Sequence, residues 1–245
     1  MSGEPLGFFP YLIQVVMPQL ITAVPMTLTL TAVSFAIGNL LALPIAVARV
    51  SKNPILRLPA YIYILFMRGT PLLVQIYLIY YGFKQLLPVE FVRDSWASSI
   101  LRESFWYAIL AFSLNTAGYT GEILRGAIQA VSYGEIEAGR AFGMSNRLIF
   151  WRITLPRAIR ICLPTMSGET ILLLKATSLS AVIAIHDIMG KANYIRAQEL
   201  RTYEPLLGAA IVYIVLVFAM TRGLNWVERR LNRDRVPPAS LAKSE

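Results

Sequence analysis

Long apolar stretches alternate along this chain with short polar ones, most of them basic. A helix needs about twenty apolar residues to cross a bilayer, and five stretches approach or exceed that length. The first runs from about 25 to 47 and ends at Arg49-Val50-Ser51-Lys52-Asn53-Pro54. Ahead of it, residues 8 to 20 are apolar but punctuated by Pro10 and Pro18, which predicts an interfacial segment or a lead into the first span. The second stretch covers about 55 to 83, longer than a crossing needs, and is expected to tilt or to kink at Pro71. Polar residues 84 to 104 follow, with Pro88, Arg93, Asp94 and Glu103. The remaining spans take about 105 to 123, 161 to 185 and 205 to 219, and a basic tail containing Pro237-Pro238 comes last. No internal repeat, low-complexity run or linker divides the sequence. The pattern therefore predicts one all-α integral membrane domain, 1–245, with five transmembrane helices.

Between the third and fourth spans, at about 130 to 160, lies the one long polar segment flanked by strongly apolar ones, with Glu135 to Pro164 reading EIEAGRAFGMSNRLIFWRITLPRAIRICLP. Ser132 and Glu135 have the S-x-x-E spacing of a capping box, so a helix should begin there. That helix would carry Glu135, Glu137 and Arg140 and end at Gly143, the residue type that takes a left-handed position after a helix. Ser145 would cap a second helix, which Pro156 and Pro164 should interrupt or kink. A helix, a glycine turn and another helix between two spans make a water-facing knob, a natural place to hold a soluble partner.

With 56% hydrophobic and only 15% charged residues among 245, the composition excludes an ordinary soluble domain. The formal charge of +9 is informative through its distribution. One side of the predicted membrane collects 15 Lys and Arg: Arg49, Lys52 and Arg57, six from Arg125 to Arg160, and six in the tail from Arg222 to Lys243. The other side holds 6, namely Lys84, Arg93, Arg102, Lys191, Arg196 and Arg201. The positive-inside rule then puts the N-terminus outside and both knob and tail in the cytoplasm. The excess charge reads as topology and as attraction to anionic lipid headgroups, not as a nucleic-acid face, which would need a folded basic domain. Cys162 and His186 are each the only one of their kind, which excludes an intrachain disulfide and leaves little for a metal site or a Ser-His-Asp arrangement. A phosphate-binding loop is missing too, since Ile185 stands where the first glycine would precede the only Gly-Lys pair, Gly190-Lys191. If ATP drives this protein, another polypeptide binds it, and no cofactor is expected on this chain. The N-terminus lacks the basic n-region of a cleaved signal, so the first span is expected to stay.

Four ionisable residues fall within the predicted spans: Arg68, Glu122, Glu169 and Lys175. Such groups are costly in hydrocarbon and face a cavity or one another. One reading is mutual pairing, or snorkelling of the two basic side chains to an interface. The other is that a carboxylate lines a translocation path. Glu169, about two turns into the fourth span, suits either reading. Glu122 lies nearer the cytoplasmic edge and, at i, i+3 from Arg125, could simply pair with it.

Glu137-Ala138-Gly139, three residues, Gly143, nine residues and Ile153-x-Leu155-Pro156 together resemble the EAA loop of ABC-importer permeases. The departures are Gly139, where the family usually has Ala, and Ser132-Tyr133, where Pro often precedes the glycine. Arg68-Gly69-Thr70-Pro71-Leu72-Leu73-Val74-Gln75, the run Asn115 to Ile123, and Lys175-Ala176-Thr177-Ser178-Leu179 resemble the polar amino-acid branch of those permeases, extending the likeness over roughly residues 20 to 230. The resemblance implies a type I importer transmembrane domain in a bacterial inner membrane. Glu137, Ala138, Gly139, Arg140, Gly143, Ile153, Leu155 and Pro156 would dock a cytoplasmic ATPase dimer that carries ATP and Mg. It further implies a second permease chain, identical or not, and an extracytoplasmic substrate-binding protein. The closest look is to permeases for histidine, arginine, lysine and opines. Glu169, Glu122, Arg68, Lys175 and Ser178 are then the substrate-path candidates. The small residues from Asn115 to Gly121 also have a plain explanation in close helix approach. From another class, an ATP-independent channel or permease for small polar solutes would share the spans and their charges without needing the knob.

Overall fold

The computed structural model describes residues 7–86, 98 and 102–231; Pro88, Arg93, Asp94 and the tail residues from 232 onward lie outside them. All the regular structure in the described residues is helical. The first helix, α1, runs from Phe8 to Val50 over 43 residues, with one wide π turn at Leu12–Val16. It begins well before the expected start near residue 25. Pro18 does not break it, because it falls in the first turn after the wide one, where an absent N–H costs least.

The second expected span is not one tilted helix. Helix α2, Pro54–Gly69, and helix α3, Leu72–Gly82, meet at a bend of 108°. Thr70 and Pro71 are both extended, with ψ of 145° and 134°, as a residue before proline and a proline opening a new helix must be. At 16 residues α2 rises only about 24 Å, so a helix started at the basic Asn53-Pro54 end stops inside a bilayer. Broken backbone at that depth must be satisfied by protein. Gln75 does this: its amide nitrogen donates to the carbonyls of Met67 (2.9 Å) and Thr70 (3.2 Å) and to the Thr70 hydroxyl (2.8 Å). Asn115 donates to the Gln75 side-chain oxygen (3.0 Å) and to Met67 O (3.3 Å).

Asn115 belongs to α4, Ser104–Gln129, the most enclosed long helix. Among the described residues, helices α6, Asn146–Ile183, and α8, Tyr203–Leu231, join α1 as the three that are long and apolar enough to cross a membrane alone, and the bent α2–α3 pair is a fourth candidate. α4 covers the expected third span but is more polar, since its Thr116, Gly118, Thr120 and Gly121 lie buried against protein. Close approach explains those small residues. A Cβ on Gly118 would sit 2.6 Å from Met67 Cβ, and one on Gly121 3.1 Å from Ile45 Cγ2. Across the contact, a Cβ on Gly38 of α1 would meet Thr116 Cβ at 2.6 Å.

Helix α5, Tyr133–Ala141, links α4 to α6, and α7, Ile188–Glu199, precedes α8. Three buried clusters stack along α1. Leu20 and Val16 pack with Ile188 of α7 and Ala209 of α8; Leu30 packs with Phe112 and Ile76; Ala46 packs with Leu124, Ala127 and Ala158.

Asp187 fixes α7 in the first of these regions. Fully buried, its carboxylate accepts from the N–H of Gly190 (2.8 Å) as helix N-cap and from the Tyr213 hydroxyl (3.1 Å). The Ile188 N–H donates to Thr27 of α1 at 3.2 Å. Burial pushes the Asp187 carboxyl above its usual range, against the lowering effect of these hydrogen bonds. A raised folded-state pKa favours the folded chain as pH falls through that value and loses the advantage as pH rises through it. Asp187→Asn keeps an acceptor for Gly190 and should unfold within a few degrees of wild type, with a flatter pH dependence. Asp187→Ala leaves two buried donors without an acceptor, about 2–4 kcal/mol, and should lower the melting temperature in detergent by roughly 5–10 °C.

Candidate functional site

Two features of the sequence become concrete in the structure, an exposed elbow and an open cavity, and α6 carries both. In the elbow, α5 ends as the glycine spacing predicts. Gly143 has φ +74°, its N–H donates to Arg140 O (2.9 Å), and Met144 N–H reaches back to Gly139 O (3.1 Å), the paired bonds of a Schellman turn. Ser145 then caps the following turn through Leu148 N–H at 3.3 Å. The expected capping box at Ser132 does not form: the Ser132 side chain makes no cap bond. The Glu135 carboxylate instead holds Arg157 of α6 at 2.9 Å. Nor do Pro156 and Pro164 interrupt α6, which is one helix from Asn146 to Ile183. Pro156 follows a π turn at Phe150–Thr154 and occupies the first turn of the next α segment, where proline is tolerated.

Glu137, Ala138 and Arg140 all face solvent, as does Pro156, whereas Gly139 is the only buried residue of α5. A Cβ on Gly139 would lie 2.9 Å from Ile153 Cδ1 and 3.1 Å from Ile149 Cγ1, so the glycine lets α5 lie directly on α6. Leu155 is buried and Ile153 half-buried beneath it. The eight residues expected to dock an ATPase thus divide into an outer set facing solvent and an inner set tying the elbow to α6. Phe142, 87% exposed, and Tyr133, 63% exposed, add apolar surface that none of the described residues covers.

The cavity has a volume of about 530 Å3 and opens where α2 breaks. Arg68, Thr70 and Pro71 line it from the break, Asn115 and Tyr119 from α4, and Glu169 from α6. Arg68 sits in the last turn of α2, where a cation offsets the helix dipole, and its guanidinium lies 5.5 Å over the Tyr119 ring. Opposite charges, the exposed Arg68 and the half-buried Glu169, therefore line one open cavity. A second cavity of about 350 Å3 adjoins it and shares Arg68, Gly69 and Tyr119, with Glu122, Arg49 and Tyr61 completing its walls. Glu122 is paired there, to Arg125 at 2.7 Å and Arg49 at 3.8 Å. Lys175 and Ser178 line neither cavity. Lys175 is exposed, and Ser178 donates to the Lys175 carbonyl at 2.7 Å. Residue charge alone singled out Arg68 and Glu169. It did not single out Asn115, Thr70 or Tyr119, although all three stand in the two stretches that carry the family likeness.

Residues 38–233 match the family described as the inner membrane component of binding-protein-dependent transport systems. The chain is 45% identical over 215 residues to the nopaline transport system permease protein NocM of Agrobacterium fabrum, covering 88% of each chain. It is 37% identical over 213 residues to the histidine/lysine/arginine/ornithine transport system permease protein HisM of Escherichia coli K12, covering 85% of this chain and 87% of that one. Among solved structures, it superposes with a TM-score of 0.78 on a chain from an amino acid ABC transporter with histidines, at 32% identity, covering 93% of this chain and all of the other. The chain therefore belongs to the binding-protein-dependent inner membrane components, the permease subunits of ABC importers, in which a separate subunit hydrolyses ATP.

Proposed function

We propose that this permease carries a basic amino acid or an opine inward, with Arg68 and Glu169 as the opposed groups that receive it. The carrying observation is their placement on one cavity of about 530 Å3 at the break between α2 and α3. An amino acid presents a carboxylate at one end and, if basic, a second cation on its side chain. A guanidinium and a carboxylate on the walls of one cavity match that pair of charges. The permeases named for nopaline and for histidine, lysine, arginine and ornithine support the same substrate class.

Transport is driven through the elbow. Glu137, Ala138, Arg140 and Gly143 form the face that a cytoplasmic ATPase dimer grips. Gly139 packing on Ile149 and Ile153, together with the Glu135–Arg157 pair, ties that face to α6. Because α6 is continuous from Asn146 past Glu169, a push on the elbow tilts the helix that holds the cavity's carboxylate. In this reading the N-terminus is outside and the elbow and tail are cytoplasmic. A second permease chain completes the pathway, and a binding protein delivers substrate to the outer face.

The test is uptake by the full importer in proteoliposomes, with ATP inside and the binding protein outside, across basic, neutral and acidic amino acids and opines. ATP-dependent accumulation confined to basic amino acids or opines is expected. Accumulation of neutral or acidic amino acids alone would refute the substrate assignment. Flux without ATP hydrolysis would favour the channel reading.

A further inference from the structure

We infer that the smaller cavity receives a second carboxylate on the substrate, with Arg49 as its partner, so that this permease favours an opine over a plain basic amino acid. The cavity encloses about 350 Å3 beside the larger one, and Arg68, Gly69 and Tyr119 line both. Glu122 lies one turn past Tyr119 on α4, and Arg49 sits in the last turn of α1. The smaller cavity therefore extends the larger one toward the ends of those two helices.

Charge decides what this extension can hold. Two guanidinium groups, Arg49 and Arg68, line it with one carboxylate, Glu122. Arg125 already holds that carboxylate through Oε1, with Nη2 at 2.7 Å and Nε at 2.9 Å. The surplus is positive and calls for an anion. Arg49 has donors to spare for one. Its Nη2 stands 3.8 Å from Glu122 Oε2, beyond hydrogen-bond length, and neither that oxygen nor the buried Arg49 Nε has a hydrogen-bond partner among the described residues. Charge alone joins the two groups, and Glu122 keeps Arg125 if Arg49 turns to another anion. The Tyr61 ring, its centre 4.8 Å from Arg49 Cζ, covers the flat face of the guanidinium and leaves the N–H edge that a carboxylate takes.

An opine joins an amino acid to a second acid through the amino nitrogen, which sets an added carboxylate close to the first. With the side-chain cation at Glu169 and the first carboxylate at Arg68, the addition reaches the cavity that Arg68 shares with Arg49. A plain basic amino acid has no group to place there. This rests on the assignment of Arg68 and Glu169 to the substrate.

The experiment measures binding of radiolabelled arginine and octopine to the nucleotide-free permease–ATPase complex in nanodiscs. The binding protein is omitted because its own selectivity would mask the difference. Octopine is arginine with an added carboxyethyl group, so the probes share the guanidinium and the first carboxylate. Wild type should bind octopine roughly tenfold more tightly than arginine; Arg49→Gln should remove that factor and leave arginine within about twofold of wild type. Arg49→Lys should recover part of the preference, supplying charge without the guanidinium fork. Glu122→Gln breaks the same ion pair but leaves the Arg49 cation, and should keep the preference. Equal wild-type affinities for the two probes would overturn the inference and leave basic substrates standing. A matching loss of both probes in Arg49→Gln would overturn it, as would loss of the preference in Glu122→Gln, since either makes Arg49 half of a structural ion pair. Failure of wild type to bind either probe would refute the substrate assignment itself, and this inference with it.

Discussion

Gly143→Pro should strip the ATPase from this permease while leaving the membrane-embedded helices folded. The position has φ +74°, which the proline ring, locked near −65°, cannot adopt. The substitution also removes the N–H that donates to Arg140 O at 2.9 Å, and with the turn distorted the Met144 N–H to Gly139 O bond goes as well. The damage is larger than a small shift of one side chain. The end of α5 loses the turn that returns the chain to Ser145, and the outer face of Glu137, Ala138 and Arg140 swings away from its base on Ile149 and Ile153. Gly143→Ala tests the same idea in graded form, because a left-handed alanine costs only about 1–2 kcal/mol, or roughly five- to thirtyfold in an equilibrium that needs the native turn. Co-purification of a tagged permease with its ATPase checks both. The proline variant should retain less than about a tenth of the wild-type ATPase, with the alanine variant between. Thermal unfolding of the permease in detergent should barely move, since nothing within 4 Å of a Cβ at Gly143 belongs to the core. Full retention of the ATPase by Gly143→Pro would remove the elbow from the coupling interface.

That elbow was readable because its instructions are local. Gly143 needs only its own backbone angle and the four preceding residues to end a helix, and Ser145 caps the next turn. The capping box failed for the opposite reason. Glu135 found a guanidinium 22 residues away on another helix, and the Glu135–Arg157 ion pair displaced the short-range bond. The break in α2 shows the same limit. Pro71 announces a disturbance, but whether a helix kinks or turns through 108° depends on which groups satisfy the freed carbonyls. The partners are Gln75, five residues past Thr70, and Asn115 on α4, and neither pairing has a sequence period to reveal it. The sequence left the early start of α1 as one of two alternatives because prolines usually stop helices, while a π turn before Pro18 moves that residue to a first-turn position. Charge within an apolar run marked Arg68, Glu122, Glu169 and Lys175, and the i, i+3 spacing already offered Glu122 its partner Arg125. Packing adds the rest: Arg68 and Glu169 share a cavity, Glu122 gains Arg49 as a second arginine, and Lys175 is exposed outside both cavities.

From that division comes the second large effect, in Glu169→Gln. Glutamine keeps the size and hydrogen-bonding capacity of the side chain and removes its charge, so the cavity shape and helix packing should persist. The loss is the charge-assisted contact with a cationic substrate group, about 1.5–3 kcal/mol, or roughly ten- to a hundredfold in half-saturating substrate or in rate. ATP-driven uptake of lysine or arginine by the variant should fall by that factor, while assembly and basal ATP hydrolysis stay near wild type. Arg68→Gln separates the two ends of the site, because the carboxylate it would meet is common to every amino acid. It should depress all substrates by similar factors, whereas Glu169→Gln should act on the cationic ones and spare an opine that lacks a side-chain cation. A uniform loss in both variants would mean that the two groups serve each other as a structural ion pair. Removing either partner would then leave an uncompensated charge in the cavity, and the double variant would recover what each single one had lost. Unchanged uptake of basic substrates by Glu169→Gln would take the carboxylate out of the path altogether.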